Sequence, residues 1–282
     1  MKNFEHNIAW KNLAIPLYSE NEIFELYHEN SKITEHTQFP PSQMVIEKMS
    51  KMYESLSYDQ FPEKKLKPPL KNFKKSLSSS ILSRKSPINI SSDQFKNVVN
   101  SDGKKTHKVD SIKFKDLSTI LYYAYGINRK NEDNDFPRPF RVVPSGGALY
   151  PLEIYFYANN IKNLEPGLYH YNPTKSSIFK IPHDNSISLE KLFVDFQSDL
   201  GKKSSMIMFL TAVFERSAMK YMARSYRFIL IETGHVAQNI NLVTTALGRS
   251  ILNVGGFYDR KVDKFLNLDG ISHSTLYLQS II

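Results

Sequence analysis

MARSYRFILIETGHVAQNINLVTTALG, residues 222–248, reads as one long amphipathic helix, and where it falls in the chain decides the fold. Its apolar side chains recur at Tyr226, Leu230, Val236, Ala237, Ile240, Val243 and Leu247, the spacing that lines one helical face. At about 1.5 Å per residue, about 27 residues make a rod of about 40 Å. A helix of that length crosses a whole domain. Before it runs MIMFLTAVF (206–214), a continuous apolar stretch of the buried-strand kind, and after it ILNV (251–254) and TLYLQSI (275–281) read as two more strands. Upstream, LEIYFYA (152–158) is a further strand, and GLYHYNPTKSSIFKI (167–181) is a hairpin turning at Asn172, Pro173 and Thr174. DSIKFKDLSTILYYAYG (110–126) predicts a second core helix through Ile112, Leu117, Ile120, Leu121 and Ala124, stopped at Gly126. Helices and strands interleave irregularly around a hairpin, so the expected class is an α+β sandwich rather than a regularly alternating parallel sheet.

Composition narrows the chemistry. With 282 residues, 41% of them hydrophobic and 12% aromatic, the chain can bury a core of ordinary size, which excludes wholesale disorder. It has no cysteine, and that removes disulfides, thiolate metal sites, iron–sulfur clusters and cysteine nucleophiles together. No apolar run is long enough to span a bilayer or to act as a signal peptide, so a soluble, cytoplasmic protein without membrane insertion is expected. The net charge of +9 raises nucleic acid as a partner. Its distribution argues against one: six lysines crowd into residues 62–75 among Pro62, Pro68 and Pro69, with Phe73 the only aromatic residue there. That stretch reads as an extended, solvated connector. It joins a small helical extension, with helical patterns at 22–28 and 44–56, to a serine-rich entry at 76–84. The predicted organisation is a helical extension plus basic linker over 1–75 and a main domain over 76–282.

Several groups are candidates for chemistry. In PSGGALYP (144–151), Pro144, Ser145, Gly146 and Gly147 fit two descriptions: an ordinary turn feeding a strand, or a loop whose bare backbone approaches a flat or anionic ligand. It is no P-loop, which needs a lysine, and no nucleophile elbow, which needs glycine on both sides of the serine. A second pair, Gly255 and Gly256, follows the strand 251–254 and carries the same two readings. Lys220 and Tyr221 precede the long helix. Their ordinary pKa values lie about three units above neutrality, so either serves as a base only after a shift of roughly 4 kcal/mol. An ammonium beside a phenol stabilises the phenolate, and burial of the lysine stabilises the neutral amine; a solvated lysine beside a packed tyrosine is the plainer reading. Arg84 and Ser86 offer a fork and a hydroxyl suited to a phosphate monoester. His170 and His235 lack partners at metal-ligand spacing and read as hydrogen-bonded structural residues. Glu232 and Gln238 fit a polar helix face or a pair across a subunit interface.

Read together, YHENSKIT (27–34), the helix ending at Tyr125 and Gly126, RVVPSGGALYPLEIYFY (141–157), GLYHYNP (167–173), MKYMARSYRFILIETGHVAQNINLVTTALG (219–248) and NVGGFYDRKVDKFLNLDG (253–270) resemble the SagB-type dehydrogenases. These are flavin-dependent azoline oxidases of the nitroreductase superfamily. The resemblance implies a nitroreductase-like sandwich, with a mostly antiparallel central sheet flanked by helices and a long dimer-forming helix. It implies FMN, held in the groove of a homodimer, and partner cyclodehydratase proteins that turn cysteine, serine or threonine of a precursor peptide into azolines. The oxidase then removes two hydrogens from each ring. Carried over, Ser145, Gly146 and Gly147, with Pro144 before them, line the flavin; Gly255 and Gly256 present amides near its hydride-accepting nitrogen; Arg84 and Ser86 meet the phosphate; Lys220 and Tyr221 match the catalytic pair. Where nitroreductases commonly carry a further basic residue this chain has Ile88, which makes Arg227, with Arg224, Arg260 and Lys261, substitutes for holding the phosphate. Two rival readings are a general NAD(P)H-dependent flavin reductase and a non-catalytic scaffold subunit of the peptide-modifying complex.

Overall fold

A computed structural model of the chain describes residues 23–51, 55–83, 111–132 and 138–282. Arg84, Ser86 and Ile88 therefore lie outside the described residues. The chain divides into two compact units, Met1–Gln38 and Phe39–Ile282. In the first, the described residues form a helix, Ile23–Asn30, closed by Ser31 Oγ donating to the Tyr27 carbonyl at 2.6 Å.

The second unit is built on a seven-stranded sheet. Its strands are β1 (Glu63–Lys65), β4 (Leu152–Ala158), β5 (Gly167–Asn172), β6 (Ser177–Ile181), β7 (Met206–Val213), β8 (Ile251–Val254) and β9 (His273–Ile281), and β2 (Ile127–Arg129) with β3 (Phe140–Arg141) makes a separate ribbon. The spatial order is β1-β6-β5-β4-β7-β9-β8, and every pairing is antiparallel. This is the expected α+β sandwich. The expected hairpin is β5–β6.

Side chains alternate across a strand, so β4 and β7 sort their residues between two cores. Leu152, Ile154, Phe156, Met206, Met208 and Leu210 join Ile120, Leu121, Ile229, Val236 and Ile240 of two helices, Phe114–Tyr125 and Ser225–Ala246. Tyr155, Ile207 and Phe209 face the other way, onto Phe193, Leu200, Val262 and Phe265. Both faces of the central strands are covered, which explains the uninterrupted apolar run of 206–213.

Two elements differ from the sequence reading. The long helix begins at Ser225 rather than 222, because Met222 adopts φ 48° and ψ −134° and breaks the path between it and a short helix, Glu215–Tyr221. The lysine-rich stretch is extended with most of its lysines exposed, but its backbone is fixed: Glu63–Lys65 pairs with Phe179–Ser177, and the Lys67 and Leu70 amides donate to Ser118 Oγ and Thr119 Oγ1, both at 3.1 Å. Phe73 packs edge-on against Tyr123. The compact unit thus begins at Phe39 and takes in 55–75, ahead of the boundary expected at 75/76. Leu66, Leu70 and Phe73 are too few to show a period, which is why the pattern concealed this.

Candidate functional site

The Ser-Gly-Gly stretch is a strained loop rather than an ordinary turn. Gly147, Ala148 and Tyr150 have φ of +64°, +52° and +48°, a conformation that costs roughly 1–3 kcal/mol at a non-glycine residue and persists only where the surroundings enforce it. Those surroundings are the two helices. The Phe228 ring lies 3.2 Å from where a Gly146 Cβ would stand; a Cβ on Gly147 would lie 2.7 Å from the Tyr221 hydroxyl and 3.0 Å from Lys220 Nζ. Only a residue without a side chain lets this backbone approach both polar groups. The amine, the phenol and the bare peptide meet at one point.

Tyr221 is held in place by aromatic edges. Phe228 meets its ring at 4.9 Å and Phe39 at 6.3 Å, both nearly perpendicular. Val45 and Met49 of the helix Ser42–Lys51 pack with Met219 and Leu149 against it. Residues 39–51 therefore wall off one side of the Lys220–Tyr221 pair. A cavity of about 560 Å³ borders the loop, lined by Arg129, Phe140, Arg141, Ser145, Gly147 and Tyr150, among others, within the size range of small-molecule sites.

Beneath the loop stands Glu232. It is 2% exposed, not on an outward polar face as the sequence suggested; Gln238 is exposed. The Tyr125 hydroxyl donates to Glu232 Oε1 at 2.5 Å and accepts from the Leu152 amide at 3.2 Å. Ser145 also bonds the carboxyl, and Ser145 Oγ accepts from the Tyr150 amide at 2.9 Å. Burial pushes Glu232 up to about 7 against the opposing pull of Ser145, Tyr125 and Arg141. Burial likewise raises the Tyr125 and Tyr150 hydroxyls.

On the opposite face of the sheet a second buried carboxyl, Glu153, anchors the short helix. Arg216 Nη2 donates to Glu153 Oε1 at 2.7 Å, His170 Nε2 to Oε2 at 2.7 Å, Ser55 Oγ to Oε2 at 3.2 Å and the Leu56 amide to Oε1 at 2.9 Å. Burial alone would raise this carboxyl; Arg216 first, then His170, overcome it and hold it far below the usual range. Arg216 lies one helical turn before Lys220, so the ion pair fixes the helix that carries the candidate base.

Ser145, Gly146 and Gly147 thus come together with Lys220 and Tyr221, and Pro144 enters the loop exposed. Gly255 and Gly256 do not join them. They follow β8, three strand intervals from β4, or about 14 Å at the usual spacing. Both are exposed, neither has a positive φ, and a Cβ on either would meet nothing closer than 3.8 Å. Nothing among the described residues demands glycine there. Arg227 is half-buried near the start of the long helix. His170 is structural, as expected, whereas His235 is exposed on that helix. Sequence reasoning missed Glu153, Arg216 and Arg141. Glu153 did carry a signal, a lone carboxylate inside the apolar run LEIYFY, which must find a partner when buried.

Residues 105–281 match the Nitroreductase family. The chain is 34% identical over 154 residues to MJ1384 of Methanocaldococcus jannaschii, named as a nitroreductase, a match covering 55% of this chain and 74% of that protein. It is 33% identical over 143 residues to the Escherichia coli microcin B17-processing protein McbC, covering 49% of this chain and 53% of McbC. The matched stretch thus spans about half of that relative. Among solved structures, a chain of the E. coli microcin synthetase McbBCD complex with truncated pro-MccB17 bound aligns with a TM-score of 0.53 at 25% identity, covering 92% of this chain and 91% of that one. A nitroreductase-type structure from Anabaena variabilis aligns with a TM-score of 0.66 at 22% identity, over 91% of this chain and 45% of that one, a likeness of fold. Among the described residues no helix is long and apolar enough to cross a membrane.

Proposed function

This chain belongs to the nitroreductase family, and from that premise we propose that it is an FMN-dependent dehydrogenase that oxidises thiazolines or oxazolines to azoles in a ribosomally made peptide. The observation that carries the reading is the convergence of Lys220 Nζ and the Tyr221 hydroxyl on the Gly147 backbone. The residues fit a flat cofactor: a side-chain-free cradle at Gly146 and Gly147, and a second glycine pair whose bareness no neighbour among the described residues requires. Ser145, Gly146 and Gly147 would line the ring, with Arg84 and Ser86 at the phosphate and Arg227 in support. When bound, FMN supplies the two-electron acceptor.

The chain's own residues supply the rest. An azoline becomes an azole by losing a proton from one ring carbon and a hydride from its neighbour, so a base must face the ring opposite the acceptor. Lys220 and Tyr221 act as one proton-accepting unit. Phe39, Val45 and Met49 shield the Tyr221 side of that unit from water, and the Arg216–Glu153 pair keeps its helix against the sheet.

Because about 14 Å separates the strands that lead to and from the two glycine pairs, the clasp is completed in a homodimer, by Gly255 and Gly256 of a second copy. The long helix offers the surface for it: Leu230 and Ile231 are 44% and 55% exposed, and a Cβ on Gly234 would meet nothing within 4 Å among the described residues. The peptide reaches this enzyme from cyclodehydratase partners in the cytoplasm, where ribosomal peptides are made. McbC is named for processing microcin B17, and the McbBCD structure holds a truncated pro-peptide; these names support the substrate class proposed here.

The test is azole formation on a cyclodehydrated peptide, with flavin occupancy measured alongside, for Lys220→Ala and Tyr221→Phe. Turnover should fall at least about a hundredfold in Lys220→Ala, the range of a lost general base, with FMN retained. Normal turnover in both variants would remove the assignment.

A further inference from the structure

We propose that Glu232 is the positioning residue of loop 145–150: from beneath the loop its carboxyl fixes Ser145 directly and the start of β4 through Tyr125, and so holds Gly147 in the shape on which Lys220 and Tyr221 rest. Neither residue composition nor family membership assigns it this role. Only the expected effect on FMN rests on the flavin reading above; the positioning itself does not.

The geometry is a closed chain of hydrogen bonds. The Leu152 amide donates to Tyr125, Tyr125 donates to Glu232, and Ser145 bonds Glu232 while accepting from the Tyr150 amide. Both ends of the loop are thereby tied to one carboxyl. Inside that chain lie the three left-handed residues, which relax unless something over-determines them. One helical turn earlier, Phe228 presses on Gly146 and edges against Tyr221. The same face of one helix therefore sets the glycine pair and the phenol together.

The charged and titratable groups facing Glu232 are few. Tyr125 approaches from the helix Phe114–Tyr125, Tyr150 from the loop and Arg141 from β3. Arg141 stacks its guanidinium over the Tyr125 and Tyr150 rings at 4.2 and 4.9 Å, and its amide donates to the Tyr150 hydroxyl at 2.9 Å. The partners of the carboxyl itself are hydroxyls. Burial holds Glu232 at about 7, so its charge changes across neutrality. Charge-assisted hydrogen bonds are roughly twice as strong as neutral ones, and the carboxylate therefore grips Ser145 more tightly than the acid does.

Hydrogen exchange of the flavin-free protein reads this directly at two amides, Tyr150 and Leu152, as protection factors corrected for intrinsic rates. In Glu232→Ala, protection at both should fall about tenfold or more, the loss expected for a charge-assisted bond, while β5 and β6 amides keep theirs. In the wild type, protection at Tyr150 should rise between pH 6 and pH 8. In Glu232→Gln it should match the wild-type value at pH 6 and stay there up to pH 8, a signature that a merely space-filling side chain would not produce. FMN affinity of the full chain should fall by a similar factor in Glu232→Ala. Unchanged protection at both amides in Glu232→Ala, or a pH dependence that persists in Glu232→Gln, would overturn the proposal. Lost protection with unaltered FMN affinity would uphold the positioning and sink instead the reading of the loop as a flavin wall.

Discussion

Glu153 and Glu232 are both 2% exposed and lie against opposite faces of one sheet, yet they are held in opposite electrostatic states. Glu153 meets a guanidinium, an imidazole, a hydroxyl and an amide. Those partners overcome desolvation and hold its carboxyl well below the usual carboxylate range. Glu232 is bonded by hydroxyls, and the charge of Arg141 pulls against burial without overcoming it, so desolvation wins and the group titrates near neutrality. Burial is common to the two; what decides is whether a full positive charge comes within hydrogen-bond reach. The fixed charge secures the helix that carries Lys220 and Tyr221, and the titrating one lies under the loop those residues touch.

The sharpest way to break the comparison is Glu153→Gln. It strands the Arg216 guanidinium, 3% exposed, without a counter-charge, a change that costs about 3–5 kcal/mol in buried pairs. Urea unfolding at pH 7 should show that loss; a loss below about 1 kcal/mol would mean that water reaches the pair and that the contrast is false.

Glu232→Gln should act in the other direction, and less strongly. Its folded pKa of about 7 stands above the ordinary value of 4.5, so its neutral form contributes stability that is complete below about 4.5 and is lost as pH rises through 7. A glutamine does not charge. The variant should match the wild type near pH 4.5 and exceed it by about 2–3 kcal/mol at pH 8, from a shift of about 2.5 units. Unfolding curves of the two that run parallel across this range would show that Glu232 does not titrate as described. The site thus tolerates a charge that disfavours the fold in exchange for a firmly held loop, a familiar trade between stability and function.

How much of this was legible beforehand follows from the reach of each signal. Strands, the hairpin and the long helix were readable because period and apolar runs are local, and 152–158, 206–214 and 251–254 come out almost to the residue. The break at Met222 was not, since a positive φ at methionine answers to the packing of two helices rather than to any preference of its own. The proximity of Ser145–Gly147 to Lys220 and Tyr221 spans some seventy positions and was reached through family resemblance, not spacing. The two carboxyls show the limit most clearly. Each is a single letter in an apolar run, and its charge state depends on partners, Arg216 and His170 in one case and Tyr125 and Ser145 in the other, that only the fold brings near.

The most direct measurement is a single turnover without oxygen. Purified protein carrying FMN is mixed with a cyclodehydrated peptide, and with NADPH in a separate sample, while flavin absorbance and peptide mass are followed together. A peptide-driven bleaching of the flavin, matched by the loss of two hydrogens per ring and faster than any bleaching by NADPH, is what the present reading predicts. Rapid reduction by NADPH with the peptide mass unchanged would contradict it and leave a general flavin reductase in its place.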